Sequence, residues 1–281
     1  MTEMPSEFKR LSSEYRWHHS LVQNSDRHFE NASYDSPHET YSEEQINSLG
    51  HGQANGSWWF STRNEIIAKA VANFGNGGCL WEIGSGAGAV GVHLSNAGIP
   101  CIGVEPSGCG SRHSSERGLL SIQSDFQSLK LPAKSVYQIG LFDVLEHVQS
   151  PNELLTELRF ALKDDGRLFI TVPAYSFLWS NADETAGHFL RYTRRSIVRQ
   201  LHEVGFRPIY VRYFFTSLVL PLLVLRVIPY RLGFERFRKD DGLINLSGGQ
   251  RSVWLQKVEM LMNKFIPIGS SIIVVASKDI T

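Results

Sequence analysis

Leu80-Trp81-Glu82-Ile83-Gly84-Ser85-Gly86-Ala87-Gly88 decides the fold of this 281-residue chain. A short apolar strand runs straight into a glycine-rich turn, with an acid at the junction. Ala89-Val90-Gly91-Val92-His93-Leu94 continues with apolar residues at helical spacing. Strand, glycine loop and helix in that order let a backbone approach a ligand closely, because glycine lacks Cβ and accepts positive φ. The helix N-terminus beyond the loop adds unpaired N–H groups and a partial positive charge. A nucleotide-like or carboxylate-bearing ligand is expected here.

Two readings of the glycines compete. Gly86-Ala87-Gly88-Ala89-Val90-Gly91 fits the letters of the dinucleotide fingerprint G-x-G-x-x-G, with Glu105 at the spacing of a ribose-binding acid. That reading predicts an NAD-dependent oxidoreductase. The alternative frame, E-x-G-x-G-x-G over Glu82 to Gly88, resembles the first motif of the class I S-adenosylmethionine-dependent methyltransferases. There the acid closes the first strand and the glycines lie under the methionine part of the cofactor.

Later segments favour the second frame. Cys101-Ile102-Gly103-Val104-Glu105 reads as a second strand ending in an acid, and Leu119 to Phe126 as a third ending in Asp125-Phe126. Asp143-Val144-Leu145-Glu146-His147-Val148 after the fourth strand resembles a strong signature of the same family. The resemblance covers about residues 57–212 and 268–278 and implies S-adenosylmethionine as cofactor. It implies that Glu82 meets the methionine ammonium while Gly84, Gly86 and Gly88 allow close approach. Glu105 would hold the ribose, Asp125 the adenine amine, and Phe126 and Phe142 would flank the site. Two positions depart from the family pattern: Tyr137 replaces an acid at the start of the fourth strand, and Leu190 replaces an arginine in a G-H-x-R-R-Y element.

The expected fold is α/β: a Rossmann-like, doubly wound, seven-stranded sheet, mostly parallel with an antiparallel last strand. The alternation itself supports this, because Glu82, Glu105, Asp125 and Phe142 all fall at carboxyl ends of strands, where such sheets bind ligands. Helices are expected from Trp58 to about Val71, Asn152 to Lys163 and Ser196 to Val204. The last three strands are expected at Gly166–Pro173, Arg207–Tyr213 and Ser270–Ser277. The last two strands of this fold normally follow each other closely, so residues 214–267 read as a helical insertion.

Residues 1–55 are polar and turn-rich, and read as an N-terminal extension or lid on a domain covering 56–281. Hydrophobic residues make up 42% and the formal charge is zero, so no basic surplus exists to hold nucleic acid. Cys79, Cys101 and Cys109 lack metal-ligand spacing and read as small core residues or bystanders. His18, His19, His28, His38 and His51 show no repeated ligand spacing either, and no metal is expected. Met1 to Arg10 is polar with no apolar run after it, which points to a cytoplasmic protein.

The insertion leaves two readings open. Phe214 to Leu225 is strongly apolar, yet Pro221, Arg226 and Pro229 interrupt it short of the ~20 residues that span a bilayer. Arg231, Arg236, Arg238 and Lys239 follow. Trp254, Val258, Leu261 and Phe265 mark one face of a later helix. The segment either packs its apolar faces on the core or across a homodimer, or rests residues 214–240 in a membrane interface.

Methyl transfer needs an aligned nucleophile, and a hydroxyl nucleophile needs a base. Trp179-Ser180-Asn181-Ala182-Asp183 with Gly187-His188-Phe189-Leu190-Arg191-Tyr192 resembles an element of a bacterial methyltransferase subgroup. Its loop, 173–192, lies on the cofactor side. His188 leads as candidate base because histidine titrates near neutrality, followed by His147, Asp183 and Tyr192. The expected acceptor is an oxygen of a small-molecule, lipid-linked or saccharide compound. A non-catalytic protein that keeps the cofactor pocket is a third reading.

Overall fold

A computed structural model describes residues 8–9, 21–34, 57–233 and 250–279. Strands β1 (Leu21–Ser25) and β2 (His28–Asn31) form a hairpin ahead of β3 (Leu80–Ile83), β4 (Cys101–Glu105), β5 (Leu120–Gln123) and β6 (Val136–Phe142). Strands β7 (Leu162–Pro173), β8 (Phe206–Phe214) and β9 (Ser271–Lys278) complete a single mixed sheet. Its order is β1-β2-β5-β4-β3-β6-β7-β9-β8. The run from β5 to β7 is parallel, and β9 is antiparallel to both its neighbours.

The sheet therefore has nine strands among the described residues, where seven were expected. The extra pair comes from the N-terminal extension, whose residues 21–31 are part of the sheet and not a lid. Strand β2 runs parallel to β5, with Phe29 beside Ile122. Asn31 donates from Nδ2 to Ser124 Oγ at 3.0 Å and to the Ser128 carbonyl. Phe8 and Phe29 pack ring to ring, 5.2 Å apart, in the main core. Phe8, Leu21 and Phe29 of the extension thus contribute to this core. His18, His19, His38 and His51 lie outside the described residues.

The parallel strands are buried on both faces, and alternate residues serve different layers. Trp81 and Ile83 join Ile102, Val104, Ile139 and Leu141 in one core cluster. Leu80 joins the other, formed with helices α1 (Trp58–Phe74) and α2 (Ala89–Asn96) through Ile67, Val71, Val90 and Leu94. By this alternation Glu82 faces the α1–α2 layer. Helices α3 (Gly108–Glu116) and α4 (Phe126–Leu129) follow β4 and β5, and α5 (Pro151–Ala161) connects β6 to β7. Helix α5 ends two residues before the expected Lys163, because Leu162 already pairs with Val136. Short helix α6 (Asn181–Thr185) lies in the loop after β7, and α7 (Arg194–Glu203) begins at a Thr193 capping box.

Between β8 and β9 the chain forms α8 (Val219–Leu222), a π-turn (Leu223–Val227), α9 (Ile228–Arg231) and α10 (Gln250–Phe265). The apolar face of α10 is not buried on the core at Leu261 and Phe265. Leu261 and Phe265 are 60% and 71% exposed, while Glu259 is fully buried. Its carboxylate accepts from the Thr216 N–H at 2.7 Å, the Ser217 N–H at 3.1 Å and the Ser217 hydroxyl. Unpaired N–H groups at the Thr216–Leu218 turn outweigh apolar burial here, because a buried donor without a partner costs about 1–3 kcal/mol. The Trp254 side chain and residues 234–249, with Arg236, Arg238 and Lys239, lie outside the described residues. No helix among the described residues is long and apolar enough to cross a membrane.

The two departures from the family pattern have packing roles. Tyr137 lies under the Lys163 ammonium, 3.6 Å from its ring centroid, and Leu190 packs against the main core. Cys79 and Cys101 are buried, and no disulfide joins any of the three cysteines.

Candidate active site

The glycine loop leaves β3 beneath the ends of β4 and β6. Gly84, Gly86 and Gly88 all have positive φ, 72°, 53° and 77°. Gly86 is open: a Cβ there meets nothing within 4 Å, whereas one at Gly84 would fall 2.8 Å from Val144. Gly86 thus leaves a cradle and Gly84 rests on the loop after β6. Glu105 holds the other side. Its carboxylate accepts from the Gly86 N–H at 2.7 Å and the Ser107 N–H at 2.9 Å. Burial raises its pKa, and these two donors oppose that rise.

Glu82 is 2% exposed, and its Oε2 has no hydrogen-bond partner among the described residues. Burial pushes its pKa up to about 8, with the Arg63 charge and the Gly91 N–H working the other way. A buried carboxylate oxygen lacking a partner is the kind of group a bound cation or donor satisfies. The raised value carries a sign. Between the usual 4.5 and about 8 the folded chain keeps this proton and the unfolded chain releases it, so stability falls as pH rises through that window. Glu82→Gln should flatten the decline by at most about 1.4 kcal/mol per pH unit. Urea unfolding of both proteins between pH 5 and 8 measures this, and parallel curves would refute the assignment.

Asp125 caps α4, accepting from the Ser128 N–H at 2.7 Å, and Phe126 is buried behind it. Phe142 is buried at the end of β6, and its carbonyl accepts from Arg63 Nη2 at 3.0 Å. The same Nη2 lies 2.6 Å from Asp143 Oδ2, and Thr171 Oγ1 donates to Asp143 Oδ1. Asp143 has φ +58°, a left-handed conformation that aspartate tolerates better than most residues. Arg63 lies under the face of Trp59, which stacks on Phe215. Nothing local in the sequence signals the pairing of Arg63 with a residue eighty positions away.

The second half of the site is the loop after β7. Asp183 is 1% exposed with both oxygens engaged. Oδ1 accepts from His188 Nδ1 at 2.8 Å and Arg191 Nε at 2.7 Å. Oδ2 accepts from Arg191 Nη2 at 3.1 Å and the Ser180 N–H at 2.9 Å. Burial opposes its charge, yet the His188 and Arg191 bonds hold its pKa below the usual value. An ionised Asp183 fixes the proton of His188 on Nδ1 and leaves the lone pair on Nε2.

His147 meets His188 edge-on, with ring centroids 4.7 Å apart. Burial and the His188 ring depress the His147 pKa, while Asp143 and the backbone of Gly187 and Ala186 oppose this. Glu146 is 1% exposed, Oε2 has no partner, and burial with the Asp143 charge raises its pKa well above normal. Its carbonyl accepts from the Phe189 N–H at 2.7 Å, which ties the two loops together. Tyr192 is buried with an unpartnered hydroxyl, kept neutral by burial and by the Glu146 charge. A separate cavity of about 330 Å³ between α1, β8 and α10 contains none of these residues.

An acid-bordered glycine loop at the carboxyl end of a central parallel strand, in this sheet order, defines a Rossmann-like methyltransferase domain. The sequence model of a family described as a methyltransferase domain matches residues 59–211, more than half of the chain, and the chain belongs to that family. S-adenosylmethionine is its cofactor, and the nicotinamide reading is set aside. No curated protein sequence matches.

Solved structures share the fold at low identity. A Thermotoga maritima S-adenosylmethionine-dependent methyltransferase, described as a possible histamine N-methyltransferase, is 17% identical with TM-score 0.55, over 84% of this chain and 97% of that one. A Haemonchus contortus phosphoethanolamine N-methyltransferase 2 bound to S-adenosyl-L-methionine is 17% identical, TM-score 0.55, over 85% of this chain and 58% of that one. Geranyl diphosphate methyltransferase bound to S-adenosylmethionine is 15% identical, TM-score 0.51, over 93% and 98%.

Proposed function

We propose that this protein methylates a hydroxyl oxygen of an amphipathic acceptor taken from a membrane surface. The observation that carries the hydroxyl is the 2.8 Å contact between Asp183 Oδ1 and His188 Nδ1, which orients the imidazole in the loop after β7. Bound at the glycine loop, S-adenosylmethionine supplies an electrophilic methyl whose bond to sulfur breaks as the carbon–oxygen bond forms.

The chain's own residues do the rest. The orphaned Glu82 Oε2 and the open cradle at Gly86 suit the methionine end of the cofactor. Glu105 meets the ribose, Asp125 and Phe126 the adenine, and Phe142 borders the pocket. His188 Nε2 takes the hydroxyl proton as the ether forms. Asp183 and Arg191 are positioning residues, since neither carboxylate oxygen is left to touch an acceptor. Tyr192 is buried with an unpartnered hydroxyl that the nearby Glu146 charge keeps protonated.

The surface beside that loop supports the acceptor class. Leu220, Val224, Ile228 and Leu232 recur at every fourth position through α8, the π-turn and α9, and are 67%, 48%, 43% and 64% exposed; Leu225 is also exposed. This helix is fastened to the acceptor loop: Tyr230 donates its hydroxyl proton to Glu184, and Arg231 Nη2 donates to the Phe177 carbonyl. Phe177 and Phe189 on the loop are exposed as well. Full burial of a large apolar side chain is worth about 1.5–3 kcal/mol, so five half-exposed ones contribute roughly 4–8 kcal/mol on entering lipid. Arg226 and Arg231, with Arg236, Arg238 and Lys239 later in the sequence, suit anionic headgroups.

Flotation with vesicles containing anionic lipid at physiological salt tests the surface. The wild type should float, and Leu220→Glu with Leu232→Glu should sink while still binding S-adenosylmethionine. Incubation with methyl-labelled cofactor and host membranes should place label in the lipid fraction. Failure of the wild type to float, with label only in water-soluble products, would remove the membrane acceptor.

A further inference from the structure

The loop after β6 and the loop after β7 bring together Glu146, His147 and His188. A ligating atom of each lies within 4.8 Å of the other two, the one such grouping of three metal-ligating side chains among the described residues. We propose that these three residues bind a divalent transition-metal cation, of the Zn²⁺ or Mn²⁺ type, at the acceptor side of the site. The inference deepens the hydroxyl-methylation reading and rests on it.

Three independent observations support the site. The first is the ligand set: two imidazoles and one carboxylate suit Zn²⁺, Mn²⁺ or Fe²⁺ and leave coordination positions open. The second is the unpartnered oxygen. Glu146 is 1% exposed and its Oε2 accepts no hydrogen bond among the described residues. A carboxylate so placed is costly to bury unless something pairs with it. A dication answers that need at the oxygen that Asp143, paired with Arg63, leaves uncompensated.

The third is the shell behind the ligands. Metal-bound histidines donate their second ring N–H to a carboxylate or carbonyl, which fixes the tautomer. His188 does so to Asp183 at 2.8 Å, and Arg191 neutralises the charge that Asp183 would otherwise add. Ligand atoms around a tetrahedral ion at ~2.1 Å stand about 3.4 Å apart. Contraction of the cluster from within 4.8 Å to that separation, by about 1.4 Å at most, closes the shell. The sequence hides this arrangement because His147 and His188 share no local spacing.

With the cation in place His188 acts as a ligand, and it serves as the base only in the metal-free protein. An acceptor hydroxyl on an open position has its pKa lowered. Its proton passes to water, and the oxygen then displaces the methyl group from sulfur.

The full chain, stripped with chelator and dialysed against Zn²⁺, should retain about one ion per chain by elemental analysis. Co²⁺ in place of Zn²⁺ should give visible d–d absorption. His147→Ala and Glu146→Gln should each weaken binding at least tenfold and abolish the Co²⁺ bands. Wild-type protein that retains no ion overturns the proposal, and so does stoichiometric binding unchanged in both variants, since histidines elsewhere would then be the ligands. If no ion binds and His188→Ala still abolishes methyl transfer, the metal site falls and hydroxyl methylation with His188 as base stands. If one ion binds and labelled methyl appears only on nitrogen or carbon, the hydroxyl reading falls and the metal site stands.

Discussion

Replacing His188 with alanine should lower turnover by about 10²–10⁴-fold and leave S-adenosylmethionine affinity within about twofold, the range for loss of a positioned general base. The asymmetry follows from where the residue sits. The glycine loop, Glu82 and Glu105 are on β3 and β4, whereas His188 is on the loop after β7, linked to the rest of the site through Glu146 and His147. Removing the imidazole frees one acceptor position on Asp183, but Arg191 and the Ser180 N–H still hold that carboxylate. The loop should therefore keep its shape. Calorimetry with S-adenosylmethionine and initial rates with the identified acceptor separate the two effects. Wild-type turnover in the variant would exclude His188 from the chemistry, and joint loss of binding and turnover would mark it as a structural residue. His188→Gln keeps a polar side chain without a titratable nitrogen and should be as slow as alanine.

How much of this was legible in the sequence depends on how local the cause is. Glu82 to Gly88 and Glu105 read correctly for position because strand, loop and acid are contiguous, and the central parallel strands fall within a few residues of expectation. The Asp183–His188–Arg191 cluster was also within reach, since its members share one short loop. The hairpin at 21–31 was not legible: strands of five and four residues in a polar context show no usable period, and only the edge of β5 makes them strands. For α10 the sequence leaves open what its apolar face meets, for the opposite reason. Its apolar pattern was clear, but the unpaired N–H groups at Thr216 and Ser217 turned Glu259 inward instead. Tertiary demand for hydrogen bonds overrode hydrophobic periodicity. The meeting of His147 with His188 belongs to the same category, as it depends on two loops converging over the ends of β6 and β7.

The largest structural effect is expected at Arg63. Its side chain is 7% exposed and serves three acids: it pairs with Asp143 at 2.6 Å, and its charge lowers the cost of ionising Glu82 and Glu146. It also ties the Phe142 carbonyl to α1. Removing one partner of a buried pair costs about 3–5 kcal/mol, because the other charge is left without compensation. Asp143 is 26% exposed and retains some hydration, so the lower end applies to Arg63→Ala, about 3 kcal/mol. That corresponds to a fall in Tm of roughly 6–12 °C for a domain of this size. Arg63→Lys keeps the charge but offers one nitrogen with a different reach, and should recover only part of the loss. The damage should extend to the cofactor. Asp143 precedes Val144, and Val144 is the surface on which Gly84 rests. Loosening the turn at Asp143 therefore loosens the floor of the glycine loop, and S-adenosylmethionine should bind at least tenfold more weakly to Arg63→Ala. Urea unfolding and calorimetric titration of the same preparations test both halves. A variant as stable as the wild type would show that Asp143 and the neighbouring acids are compensated without Arg63, and a destabilised variant with unchanged cofactor affinity would break the proposed link from Asp143 through Val144 to Gly84.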